Sequence, residues 1–120
     1  MKNVILIVDD ENDVREMFIK FLEKKGFDTV AASDALSAMR ALKRGGIDLV
    51  LSDYQMPEMT GIELLQEIFK MHPTVPVILM SGNADMRVAV EAIREKAFDF
   101  LQKPVNSSEL LQTVNLALHR

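Results

Sequence analysis

Apolar residues along this chain alternate between short unbroken runs and spaced stripes. Val4-Ile5-Leu6-Ile7-Val8 is a continuous, β-branched-rich run that stops at Asp9-Asp10. A strand apolar on both faces is one covered by helices on both sides. The next stretch changes period. Val14, Met17, Phe18, Phe21 and Leu22 recur at helical spacing with Glu and Lys between them, which predicts an amphipathic helix. Gly26, following two lysines, is its stop signal.

The alternation then repeats. Phe27 to Ala32 reads as a weaker strand, and Ser33 or Asp34 caps a helix through about Leu42, ended by Gly45-Gly46. Asp48-Leu49-Val50-Leu51-Ser52 is a buried strand ending at Asp53. Thr60 opens a helix carrying Ile62, Leu65 and Ile68, closed before Pro73. Pro76-Val77-Ile78-Leu79-Met80 is a strand ending at Ser81-Gly82, and Met86 to Arg94 is a helix with Val90 and Ile93 on one side. Phe98 to Leu101 is a short strand before Lys103-Pro104, and Ser107 or Ser108 caps a last helix with Leu110, Leu111, Val114 and Leu118. Five strand–helix units in strict alternation predict a parallel sheet with helices on both faces. Right-handed crossovers leave few topologies for it.

Composition narrows the class. A length of 120 residues suits one compact domain over 1–120, with 48% apolar residues to fill a core. The net charge of -4 argues against direct nucleic-acid binding, which needs clustered Lys and Arg. With no cysteine there is no disulfide, thiolate metal site or cysteine nucleophile. The apolar runs fall far short of the roughly 20 residues that span a bilayer, and the first is too short for a signal peptide. A cytoplasmic location without membrane contact is the expectation.

In a doubly wound sheet, sites form at the carboxyl ends of the strands. Those positions hold Asp9 and Asp10, Asp53, Ser81 and Lys103; the second strand ends in Ala31-Ala32 and contributes nothing. Any one of these has a bland reading: Asp9 and Asp10 as caps of the first helix, Lys103 as a solvated loop residue. The joint occurrence of four polar endings from four strands outweighs them. Carboxylates packed together raise one another's pKa. A divalent cation relieves that conflict, and oxygen ligands without His or Cys suit Mg²⁺. With a lysine and a hydroxyl beside it, such an edge is suited to a phosphoryl group.

Asp9-Asp10, then Asp53-Tyr54-Gln55-Met56-Pro57-Glu58-Met59-Thr60-Gly61, then Ser81-Gly82, then Lys103-Pro104, resembles the receiver domain of bacterial response regulators in order and spacing over the whole chain. The resemblance implies an α/β, flavodoxin-like, doubly wound (βα)5 three-layer sandwich whose five-stranded parallel sheet has the order 2-1-3-4-5. It implies a two-component signalling role rather than an enzyme acting on a separate substrate. Asp53 would accept a phosphoryl group from a sensor histidine kinase or phosphotransfer protein, or from acetyl phosphate. Asp10 and Asp53 would hold Mg²⁺ (or Mn²⁺) directly, with the backbone carbonyl of Gln55, and Asp9 through water. Lys103 would pair with phosphoryl oxygens and Ser81 would bond to one. As Ser81 moves, Phe100 would turn inward and the face made by the fourth helix, fifth strand and fifth helix would change. Plain core packing is the bland reading of Phe100. Gln55 and Asn83 would tune the attack of water on the acyl phosphate. Lys103-Pro104 would be a cis peptide, and Gly61 would supply a conformation or a close approach that a side chain blocks. A C-terminal effector domain beyond this chain, with a transcriptional output, and a homodimer through the switching face are compatible with the resemblance.

The sequence departs from the family's usual pattern at Lys96, where many relatives have Gly, and at Val105, where many have Phe. A haloacid-dehalogenase-type phosphatase would need a second Asp at Gln55, and a flavodoxin would need a phosphate loop where Asp9-Asp10-Glu11 repels phosphate. A nicotinamide-binding domain would need a glycine-rich turn there. The stronger rival is a non-phosphorylated pseudo-receiver, an interaction module that usually lacks an acidic residue or the lysine. His72 reads as an exposed residue at a helix end and His119 as a complement to a helix dipole. The eight methionines read mostly as core filler.

Overall fold

The computed structural model describes residues 2–82 and 86–119. Five strands and five helices alternate: β1 Val4–Val8, α1 Asn12–Lys24, β2 Asp28–Ala32, α2 Ala35–Arg44, β3 Leu49–Asp53, α3 Gly61–Met71, β4 Val77–Ser81, α4 Met86–Arg94, β5 Asp99–Gln102 and α5 Ser107–Leu118. The strands form one sheet in the order β2-β1-β3-β4-β5, with every pairing parallel.

Alternating strand residues build two cores. Leu6, Val8, Val50 and Leu79 face α2, α3 and α4, where Leu42, Leu65, Ile68 and Ala92 meet them. Ile5, Ile7, Leu51 and Met80 face α1 and α5, where Phe18, Leu22, Leu110 and Val114 meet them. This two-sided burial explains why β1, β3 and β4 read as unbroken apolar runs. Each fully buried Leu or Ile contributes roughly 1.5–3 kcal/mol of transfer free energy.

Several elements differ from their sequence reading by a residue or a rotation. Asp53 and Ser81 are the last residues of β3 and β4 rather than the first residues beyond them. Strand β5 is shifted one residue, to Asp99–Gln102. Asn106 caps α5, accepting the Glu109 N–H at 3.1 Å, so Ser107 and Ser108 lie inside the helix. Asp34, not Ser33, caps α2 in a capping box with Ser37. The Ser37 backbone N–H and hydroxyl hold the exposed Asp34 carboxyl below its ordinary pKa. Helix α4 turns Ala92 to the core and leaves Val90 and Ile93 exposed, because the small residue lets it lie close to the sheet. Of the methionines, Met80 is buried and Met39, Met56 and Met59 lie against the core, whereas Met17, Met71 and Met86 are exposed. His72 is half-buried rather than exposed; its N–H closes the end of α3 on the Ile68 carbonyl. His119 Nδ1 lies 2.9 Å from the Asn115 carbonyl at the end of α5.

The departure at Lys96 has a conformational meaning. Helices α1 and α4 end in the same double-bonded turn. In α1 the Gly26 and Phe27 N–H groups donate to Glu23 and Leu22; in α4 the Lys96 and Ala97 N–H groups donate to Ile93 and Ala92. The turn needs a left-handed residue. Gly26 takes it at φ 94° without a Cβ clash, but Lys96 takes it at φ 76°. A left-handed non-glycine costs roughly 1–2 kcal/mol. Lys96→Gly is therefore expected to raise stability by about 1 kcal/mol after the extra freedom of glycine in the unfolded chain is subtracted. Urea denaturation checks it, and an unchanged or lower midpoint would contradict the strain argument.

Candidate acidic site at the carboxyl edge of the sheet

The chain leaves β1 for β2 on one side and continues through β3, β4 and β5 on the other, so the order reverses between β1 and β3. Val8 pairs with Ser52, which sets Asp9 and Asp53 side by side. Asp53 pairs with Met80, and Ser81 with Gln102, so Ser81 and Lys103 lie along the same edge. The Lys103 N–H donates to the Ser81 carbonyl at 2.8 Å, and the Lys103–Pro104 peptide is cis.

Carboxylate oxygens of Asp9, Asp10 and Asp53 all lie within 4.8 Å of one another. The three environments differ. Asp9 is fully buried, and both its carboxylate oxygens accept: Oδ1 from the Glu11 N–H at 3.0 Å, Oδ2 from Lys103 Nζ at 3.0 Å. Its N–H donates to the Ala32 carbonyl at 3.1 Å, and its carbonyl accepts from Arg15 Nη1 at 2.7 Å. Asp10 is exposed. Asp53 is 5% exposed, with Oδ1 3.4 Å from Lys103 Nζ. Neither Asp9 nor Asp10 caps α1; the cap position is Glu11, without a side-chain bond.

Burial pushes the Asp53 carboxyl above its ordinary pKa; the Lys103 charge opposes this and the Asp9 charge adds to it. For Lys103, burial alone would lower the pKa. The hydrogen bond to Asp9 and the charges of Asp53 and Asp9 outweigh it, so the ammonium is held above its ordinary value and stays charged.

Gly61 shapes the loop behind Asp53. A Cβ there would come within 2.7 Å of the Asp53 carbonyl oxygen and 2.8 Å of Tyr54 Cα, while its N–H donates to the Tyr54 carbonyl at 2.7 Å. The requirement is close approach, not a positive φ. Ser81 is fully buried at the end of β4, and Gln55 is exposed on the loop after β3. Phe100 is half-buried against the core on the α2, α3 and α4 side, opposite Leu79 in the sheet. Asn83 lies outside the described residues.

Two participants were not apparent from the sequence. The end of β2 does contribute, through the Ala32 backbone carbonyl, which no side-chain pattern can announce. Arg15 was legible in principle: a cation near the N-terminal end of a helix opposes the dipole and needs another reason to be there.

Comparison with known proteins agrees with this geometry. A profile described as "Response regulator receiver domain" matches residues 5–115. The chain belongs to the response regulator receiver domain family. Regulatory protein AtoC of Escherichia coli is 42% identical over 116 residues, covering 97% of this chain and 25% of AtoC. Response regulator protein PilR of Pseudomonas aeruginosa is 38% identical over 113 residues, covering 94% of this chain and 25% of PilR. The chain thus spans about a quarter of the length of these curated relatives. Among solved structures, a response regulator receiver domain protein from Clostridium thermocellum superposes with a TM-score of 0.94 at 33% identity, covering 98% of this chain and 95% of that one. The receiver domain of NtrX from Brucella abortus gives 0.90 at 39%, covering 95% and 97%. The chain is therefore a two-component receiver module of the flavodoxin-like fold. No helix among the described residues is long and apolar enough to cross a membrane.

The raised pKa of Asp53 makes a pH prediction for the metal-free domain. Below the ordinary carboxylate range Asp53 is protonated whether folded or not, and its burial carries no charge penalty. As pH rises through its folded pKa the buried group ionises and stability is lost. Asp53→Asn, which stays neutral, is expected to be more stable than wild type at pH 7 in EDTA, with the gap closing as pH falls toward 4. Denaturation midpoints across that range check it; a gap that widens on acidification would contradict the assignment.

Proposed function

We propose that this domain, as one receiver unit over 1–120, is switched by phosphorylation of Asp53. The observation that carries the reading is the meeting of three carboxylates within 4.8 Å on an edge that also holds the Lys103 ammonium. The donor set is all oxygen and anionic, which fits a hard divalent cation such as Mg²⁺ or Mn²⁺. Both Asp9 oxygens are already engaged by Glu11 and Lys103, which favours Asp10 and Asp53, with the Gln55 backbone carbonyl, as direct ligands. Asp9 would then act through water. When bound, the cation supplies charge neutralisation at the oxygens of the transferring phosphoryl group.

The remaining chemistry belongs to the chain. An Asp53 carboxylate oxygen attacks the phosphorus of a phosphohistidine. The P–N bond breaks, its electron pair stays on the imidazole nitrogen, and Asp53 becomes an acyl phosphate. Lys103, fixed by Asp9, holds the added negative charge, and the Ser81 hydroxyl donates to a phosphoryl oxygen. Burial of Asp53 limits water, and Gln55 and Asn83 set how fast water returns the carboxylate. The domain promotes these two steps on itself and is consumed in the first, so it is a signalling substrate rather than an enzyme.

Movement of Ser81 toward the phosphoryl group lets the Phe100 ring turn inward and alters the α4, β5 and α5 surface. Val90, Ile93 and Leu116 give these elements exposed apolar groups for a partner or a second copy. The donor would be a sensor histidine kinase or a phosphotransfer protein in the cytoplasm, and acetyl phosphate would substitute for it. The quarter of AtoC and PilR matched here supports a C-terminal effector domain beyond this chain, and the name of a further relative, the DNA-binding transcriptional regulator NtrC of Escherichia coli, supports a transcriptional output for it.

Incubation with Mg²⁺ and acetyl phosphate is expected to add one phosphoryl group to wild type and none to Asp53→Ala, by intact-protein mass. Lys103→Ala is expected to keep some uptake but lose most of the chemical-shift change that beryllofluoride induces in α4 and α5. Absence of uptake by wild type, or equal uptake by Asp53→Ala, would leave the non-phosphorylated interaction module as the better reading.

A further inference from the structure

We infer that Arg15 is a positioning residue for the acidic site: by anchoring the Asp9 carbonyl it fixes the peptide plane from which the Asp10 carboxylate is aimed. The inference deepens the proposed metal-dependent function and rests on it. Arg15 Nη1 donates to the Asp9 carbonyl at 2.7 Å. Nη2 donates to Asn12 Oδ1, and the Arg15 N–H donates to the Glu11 carbonyl at 3.0 Å. The side chain is thus tethered at both ends of its reach, to the first residue of α1 and to the residue just past β1. The guanidinium is planar, and its two terminal nitrogens serve two different acceptors at once, which an ammonium on a shorter stem does not reproduce.

The contrast between the two neighbouring acids makes this tether matter. The Asp9 side chain is fixed by its own bonds to Glu11 and Lys103. Among the described residues, no group bonds to the exposed Asp10 carboxylate; its own torsions stay free, and what the fold fixes is the backbone from which they start. That backbone begins at the peptide whose oxygen Arg15 holds. If this peptide rotates, the Asp10 carboxylate swings away from Asp53 even though every acidic residue is still present.

Charge and position predict opposite signs. Arg15 is a cation close to a cation site, so by Coulomb's law alone its removal should tighten Mg²⁺ binding. By position, its removal should weaken binding, because groups that orient metal ligands typically cost 10–100-fold in affinity when lost. The two accounts are separated by titration calorimetry of Mg²⁺ into wild type and Arg15→Met, with urea denaturation in EDTA as the check on folding. Arg15→Met is expected to bind about tenfold more weakly. Arg15→Lys, with one donor in place, and Asn12→Ala, with the second tether cut, should fall between it and wild type. If Arg15→Met does not fold, those two variants carry the same test. Affinity within twofold of wild type, or tighter, overturns the positioning role. Loss of stability in EDTA with Mg²⁺ affinity intact overturns it as well, by assigning Arg15 to the fold alone. If wild type itself does not bind Mg²⁺ at millimolar concentrations, the metal-dependent reading has failed, and this inference with it.

Discussion

Three carboxylates within 4.8 Å repel one another, and the rest of this sheet edge is arranged around that repulsion. At an effective dielectric of 20, two unit charges 4 Å apart interact by about 4 kcal/mol. An uncompensated triad would therefore rival the roughly 5–15 kcal/mol that holds an ordinary domain together. Lys103 supplies one positive charge, 3.0 Å from Asp9 and 3.4 Å from Asp53, and is itself half-buried. The burial that drives the Asp53 carboxyl pKa upward is only partly answered by that ammonium. The edge is left short of positive charge, which is the condition under which a divalent cation binds well.

The fold meets this constraint by giving the three acids different work. Asp9 is less a ligand than a hub: its backbone joins β1 to β2 and α1, and its side chain joins the start of α1 to the end of β5. Asp53 sits in the fully buried strand β3, where both faces are covered and little water reaches it. Asp10, one residue beyond the hub, is exposed, and among the described residues nothing bonds to its carboxylate. A parallel sheet makes this division available. All strand ends of one polarity fall on one edge, and the β1–β3 register brings two of them level.

The sequence carried most of the fold because its period passes five times from an apolar run to a helical stripe. It carried the site because the polar residues after Val8, Ser52, Met80 and Gln102 come from strands that run the same way. What it did not carry was of two kinds. Rotational details escaped it: Val90 and Ile93 look like a core stripe, but the packing of Ala92 decides which side of α4 is inward. Backbone participation escaped it as well, since the Ala32 carbonyl and the peptide gripped by Arg15 have no side-chain signature. Gly61 falls between these cases. A glycine in the first turn of a helix announced a special backbone need, but only the Asp53 carbonyl lying 2.7 Å from the place of its Cβ says which need it is.

The same packing explains which part of the domain is free to answer the site. Helix α3 buries Gly61, Ile62, Leu64, Leu65 and Ile68, whereas α4 buries Ala92 and exposes Met86, Val90 and Ile93. Elements with little buried apolar surface are the ones that shift at least cost. Helix α4 also closes on a left-handed Lys96, which weakens its far end further. It follows directly in sequence from β4, whose last residue, Ser81, accepts through its carbonyl from the backbone of Lys103. Lys103, which faces Asp53 through its ammonium, is thus joined through its backbone to the end of β4. Of the helices next to those strands, α4 is held by less buried apolar surface than α3.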